Sequence, residues 1–264
     1  MAVVDIRPTV RRRISRVSSY SLFVAIVVVL VFTVDWELIG KNFFNLDVAA
    51  RLWPGVLKAA WNTIWYTLFS FCVGLVFAVV FALMKMSKGP FKWFAVAYIE
   101  LFRGMPALLT IFICVFAIPL AFKIKLPGGT IGGGLIALIL VTSAYTAEII
   151  RAGIQAVPKG QMEAARSLGM PRLRTTITII LPQAFRIVIP PLTNELVTLL
   201  KDTSLLFIAG MTIGARELTT FGKDGVSTWG NSTPYVVVAI VYLIITIPLT
   251  YLIGRLEKKM AVKK

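Results

Sequence analysis

The sequence contains no histidine. That absence removes histidine-based catalytic triads and histidine metal sites together. Cysteine is nearly absent too, because Cys72 and Cys114 stand alone within long apolar runs, far from any C-x-x-C pairing. Both read as buried apolar thiols, and no metal site is expected. No phosphate-binding G-x-x-x-x-G-K-[ST] loop occurs, since Gly40-Lys41 and Gly222-Lys223 are followed by Asn42 and Asp224. Any ATP hydrolysis must come from another chain. Charge is scarce, at 15% of 264 residues against about 25% in an average soluble domain.

Apolar residues take up the difference, at 58% of the chain with a mean hydropathy of +0.83. That composition belongs to a membrane protein. Five apolar stretches, 58–84, 95–122, 131–150, 187–209 and 235–254, come near the roughly 20 residues that cross a hydrocarbon core. A sixth, 20–39, precedes them. The expected fold is therefore all-α and polytopic, with about six transmembrane helices.

The net charge of +16 invites a nucleic-acid reading, but the basic residues follow a membrane topology instead. With the N-terminus inside, 19 Lys and Arg fall in cytoplasmic segments, including Arg11, Lys88, Arg172 and Lys258. Only 7 fall outside, and Arg103 and Lys201 lie within spans. This is the asymmetry of the positive-inside rule, so no nucleic-acid partner is called for. Both termini are then cytoplasmic. The Arg-rich 7–16 stretch followed by Leu22–Val34 also resembles a secretory signal. No A-x-A-like site follows it and Asp35-Trp36-Glu37 is a poor cleavage context, so it reads as a retained helix.

The loops are short except for a polar insertion at 151–186 and a Gly- and Thr-rich segment at 210–234, and neither is large enough for a catalytic domain. A G-x-G-x-x-A match from Gly132 to Ala137 lacks the preceding strand that dinucleotide binding needs. The match opens a membrane helix on the outer side, and the Gly-rich stretch from Pro127 to Gly134 reads as a flexible external turn.

The insertion carries the informative pattern. Pro158 to Pro171 reads as a short helix with a firm stop, in which Gly169 supplies a left-handed residue and Pro171 follows two positions later. Glu163 lies near its start, and Ala164 with Ala165 offers a small face for close approach. The spacing E-A-A-x3-G-x9-I-x-L-P, filled by Glu163, Ala164, Ala165, Gly169, Ile179, Leu181 and Pro182, resembles in full the loop of permease subunits of ATP-binding-cassette importers. Seven such positions coincide by chance roughly once in 10⁷ to 10⁹ start sites.

The resemblance implies a coupling helix that docks on an ATPase subunit, with Gly160, Gln161, Glu163, Ala164, Ala165 and Gly169 in contact. Glu100 to Pro106, Tyr145 to Gly153 and Leu200 to Leu205 are similar to the polar amino acid subfamily, which imports His, Arg, Gln, Glu or opines. Met105 stands where Thr is common. The family core has five helices over about 55–257. This chain adds 20–39, between a basic cytoplasmic segment 1–19 and the core, and ends in a cytoplasmic tail at 258–264. The partners implied are an ATPase dimer that binds ATP and Mg, a second permease subunit, an external solute-binding protein and the bilayer. No cofactor is implied in this chain, which would itself catalyse nothing, in a bacterial inner membrane.

Ionisable residues inside spans are costly and point to function. Asn194, Thr198 and Lys201 fall on one helical stripe and Glu195 with Asp202 on the next, so both signs of charge are offered to an amino acid; the other reading is that Lys201 and Asp202 anchor the interface with a partner permease. With Glu148 they form the candidate substrate path. Glu100 with Arg103, and Glu148 with Arg151, are spaced to pair as i, i+3. An ion-driven secondary transporter predicts no ATPase partner and leaves the coupling-loop match without an account.

Overall fold

Caps, prolines and close-packed glycines decide where the apolar runs become separate helices. The computed structural model describes residues 8–260, with side chains from Ser18 onward, and every element among them is helical. The basic N-terminal segment and the tail called from the sequence thus lie partly outside the described residues.

The expected 20–39 helix is two helices. Helix α1, Pro8–Thr33, stops at Val34 because Asp35 caps α2, Trp36–Phe43, by accepting a hydrogen bond from the Leu38 amide at 2.9 Å. Among the residues whose side chains are described, the apolar part of α1 is Ser18–Thr33, within a helix of 26 residues. Its large side chains, Leu22, Phe23 and Phe32 among them, are exposed. Asn45 then caps α3, Leu46–Met86, the longest helix, through the amides of Asp47 and Val48. Cys72, expected to be buried, lies on the outward face of α3, whereas Cys114 is buried.

The run 95–122 is also broken. Helix α4, Pro90–Gly104, and the rod Ala107–Phe122, formed by α5 (Ala107–Phe112), a π turn and α6 (Ile118–Phe122), meet at 107°. Met105 is extended (φ −93°, ψ 142°), as the ring of a following proline demands, and Pro106 opens the next helix. Hydropathy along the run does not register a backbone break, which is why the sequence reads as one span.

Helix α7, Gly129–Gln155, forms the centre, against α3, α4 and α10. The Gly-rich tract lies inside α7 and is not a flexible turn. A Cβ on Gly133 would come within 3.1 Å of the Val115 Cα, and one on Gly134 would meet the Leu206 side chain. The glycines let two helical backbones touch in the cluster of Ile111, Val115, Leu138 and Leu206. Next come α8 (Lys159–Ser167), α9 (Arg172–Thr175) and α10 (Leu181–Asp202), a 3₁₀ turn to Ala209, α11 (Leu218–Trp229) and α12 (Thr233–Met260).

Among the described residues, four helical runs are long and apolar enough to cross a membrane: Trp36–Met86, Gly129–Gln155, Arg172–Ala209 and Thr233–Met260. The bent pair around Met105 makes a fifth when taken as one span. The chain is thus a multi-pass, all-helical membrane protein, and its sixth apolar stretch is the shorter α1.

Candidate functional site

Two places in this frame hold the residues singled out by sequence. The first is α8, whose end is a complete Schellman motif. The Gly169 amide donates to the Arg166 carbonyl at 3.0 Å, and the Met170 amide to the Ala165 carbonyl at 3.1 Å. Gly169 has φ +83°, a conformation that costs an L-residue about 1–2 kcal/mol. Arg166 adds a bond from its guanidinium to the Met170 carbonyl at 2.8 Å, so the chain leaves the helix in one direction.

Gly160, Gln161, Glu163 and Ala164 are exposed on α8, but Ala165 is buried. Adjacent helical residues sit about 100° apart, so Ala164 and Ala165 do not make one face. Ala165 and Met162 turn inward, near the cluster of Val157, Ile180 and Ala184 that anchors α8 to the start of the α10 run. Glu163 is the fifth helical residue, beyond the first turn, so the helix dipole gives it little support.

The second place is a cavity of about 200 Å³ lined by Met105, Ala107, Val141, Tyr145, Glu195, Thr198 and Asp202. Three elements build it: the break before α5, the middle of α7 and the last turns of α10. Glu195 and Asp202 are seven apart, two turns along one face, so both carboxylates line the same space. Among the described residues, no cationic side chain lines it. Tyr145 is fixed from behind, as its hydroxyl donates to the Arg103 carbonyl at 3.2 Å and the Arg103 guanidinium lies 5.6 Å from its ring.

The remaining candidates lie elsewhere. Asn194 donates to Glu257 of α12 at 3.2 Å. Lys201 lines a separate, more open cavity of about 470 Å³ with Thr246, Thr250, Tyr251, Arg255 and Lys258. The first stripe is therefore split: Thr198 joins Glu195 and Asp202 in the smaller cavity, while Asn194 and Lys201 turn toward α12.

Glu148 is held in an ion-pair cluster outside both cavities. Its carboxylate accepts two hydrogen bonds from Arg151, one of them 2.9 Å from Nε, and lies 3.1 Å from Lys85 Nζ. Lys85 also bonds Glu100 at 3.2 Å. The Glu148–Arg151 pair forms as its spacing suggests, whereas Glu100 reaches Lys85 rather than Arg103.

Sequence reasoning noted Met105 only as standing where Thr is common, and placed none of Lys85, Tyr145, Met105 or Ala107 at the site. Only the Gly104-Met105-Pro106 breaker could have flagged the last two.

Residues 70–262 match the model of the family described as binding-protein-dependent transport system inner membrane component. Among curated proteins, the chain is 39% identical to the probable glutamine ABC transporter permease protein GlnM of Bacillus subtilis, over 82% of this chain and 98% of that one. It is 34% identical to the arginine transport system permease protein ArtQ of the same organism, with the same coverage. The L-cystine transport system permease protein TcyB, also from B. subtilis, is 39% identical over 70% of this chain and 78% of its own length. Among solved structures, an amino acid ABC transporter with histidines matches with a TM-score of 0.73 at 33% identity, over 80% of this chain and 96% of that one. The MetNI methionine ABC transporter matches with a TM-score of 0.64 at 16% identity, over 78% and 96%, and shares the fold alone.

Proposed function

The chain belongs to the family of binding-protein-dependent transport system inner membrane components, and from that premise we propose that it is the permease subunit of an ATP-driven importer of a polar amino acid. The observation that carries this reading is α8: a short, capped helix with Gly160, Gln161, Glu163 and Ala164 exposed at one end of a membrane bundle. We assign it to the groove of a partner ATPase. ATP and Mg belong to an ATPase dimer, and this chain, which has no phosphate loop, catalyses nothing itself.

The other partners follow from the same reading. An external solute-binding protein delivers cargo, and a second permease subunit, identical or sister, completes the pathway. We assign the second subunit to the face of α10 and α12 that carries Lys201, Arg255 and Lys258. The charge asymmetry supports a multi-pass protein of the bacterial cell membrane with both termini cytoplasmic.

Transport needs no covalent step. Closure of the ATPase pair moves α8, and the spans rock between outward and inward openings. Glu195 and Asp202 take the positive part of the cargo while Thr198 and Tyr145 orient it. Two carboxylates without a lining cation favour a cationic group, since a charge about 4 Å from one carboxylate gains about 4 kcal/mol at an effective dielectric of about 20. This points to a basic amino acid within the polar class, and the arginine permease among the relatives supports it. The reading is tested by the ATPase rate of the purified complex. Binding protein loaded with a basic amino acid raises that rate several-fold, and loaded with an apolar one it does not. An equal rate with either cargo contradicts it.

A further inference from the structure

The ion-pair cluster beside the cavity is not used by the account above. Lys85 closes the last turn of α3, and its ammonium lies 3.2 Å from Glu100 of α4 and 3.1 Å from Glu148 of α7. Three helices thus meet at one nitrogen. The Lys85 side chain is only 14% exposed and that of Glu148 21%, so water screens this contact less than a surface pair. Charges balance within the group, with Lys85 and Arg151 against Glu100 and Glu148.

The position of the cluster gives it a mechanical role. Helix α7 ends at Gln155, whose side chain accepts a hydrogen bond from Arg151, and α8 begins four residues later at Lys159. Helix α4 ends one turn after Glu100, at the break whose Met105 and Ala107 line the cavity. Further contacts tie α4 to α7: the Tyr98 hydroxyl lies 2.6 Å from Ser143 Oγ and 3.2 Å from the Leu140 carbonyl, and Tyr145 donates to the Arg103 carbonyl at 3.2 Å. Among the described residues, only Lys85 adds the end of α3 to this pair through charge.

We propose that Lys85 is a positioning residue that locks the ends of α3, α4 and α7 into one block, which carries the displacement of α8 to the helix break at the substrate cavity. The proposal rests on the transport function assigned above. Lys85 touches no cargo. Its removal slows the conformational cycle and leaves cargo affinity alone. Glu148 keeps Arg151 as a partner, so Lys85→Met leaves no isolated buried carboxylate and the subunit still folds.

The test compares wild type, Lys85→Met and Lys85→Arg in the full complex with ATPase and binding protein. The expected result is a kcat for uptake at least tenfold lower in Lys85→Met at unchanged KM, with at least half of wild-type kcat kept by Lys85→Arg. A normal kcat in Lys85→Met overturns the proposal. So does equal loss in both variants, which points to packing, or a change confined to KM. Spin labels on cysteines replacing the exposed Lys92 of α4 and Ala152 of α7 read the block without reference to cargo. In a background lacking Cys72 and Cys114, one narrow distance should persist with and without ATP, and Lys85→Met should broaden it. An unbroadened distribution overturns the block even if the cargo turns out not to be an amino acid, and a wild-type complex that moves no amino acid while the distance stays narrow overturns the functional reading instead.

Discussion

Glu195 and Asp202 of α10 line one cavity of about 200 Å³ with Tyr145 of α7, while Lys201, the immediate neighbour of Asp202, opens onto a different cavity of about 470 Å³. In the proposed transport path, the side of α10 on which each charge falls sets the polarity. Glu195→Gln and Asp202→Asn should each raise the KM for a basic amino acid at least tenfold, a loss of about 1.4 kcal/mol or more. The Lys201→Met change should leave KM within about threefold. Uptake kinetics of the three variants check this, and a KM change larger in Lys201→Met than in the carboxylate variants would reverse the assignment.

Gly169→Val should cost more than its modest strain. The left-handed residue at φ +83° disfavours a β-branched side chain, by about 1–2 kcal/mol or somewhat more, and the reoriented chain moves α8 relative to α10. Insertion into the membrane should persist while transport and cargo-stimulated ATPase activity fall together at least tenfold. Gly169→Asn, which tolerates the left-handed region, should keep a substantial part of both.

The legibility of these features in the sequence follows their range. The stop of α8 is local chemistry, Gly169 and Pro171 within three residues, and it folds as its pattern suggests. The partners of Lys85 lie 15 and 63 positions away, so no spacing rule announces them. The tract Gly132–Gly134 reads as a loop by composition, yet it serves close helix contact with Val115 and Leu206, a purpose that only tertiary packing reveals. Likewise, the period of α10 puts Glu195 and Asp202 together, but the placement of α12 decides that Asn194 and Lys201 turn away from them.

Glu217 makes a pH prediction outside the spans. It is fully buried, caps α11 through the Thr219 and Thr220 amides, and burial pushes its carboxyl up from the usual range even though those bonds and the Thr220 hydroxyl pull it down. A raised folded-state pKa means that the folded protein binds more protons, so stability is highest below the unfolded value and declines as pH rises through the folded value. Thermal unfolding of the purified protein should show this decline, and Glu217→Gln should flatten it. A curve of unchanged slope in the variant would assign the dependence to another group.

The orientation proposed from the 19 to 7 division of basic residues makes a labelling prediction. With both native cysteines replaced, single cysteines at Lys88 and Arg172 should be shielded from impermeant thiol reagents in intact cells, and those at Gly128 and Lys223 should react. Labelling at Arg172 from outside would put α8 on the wrong side of the membrane for an ATPase.

The central claim is that this chain conducts a polar amino acid under the drive of ATP hydrolysed by its partners. Its most direct test is uptake of radiolabelled arginine into proteoliposomes containing the chain, its second permease subunit and the ATPase, with ATP enclosed and binding protein outside. The account predicts accumulation that requires both ATP and binding protein and survives collapse of ion gradients. Accumulation driven by an imposed ion gradient without ATP would contradict it.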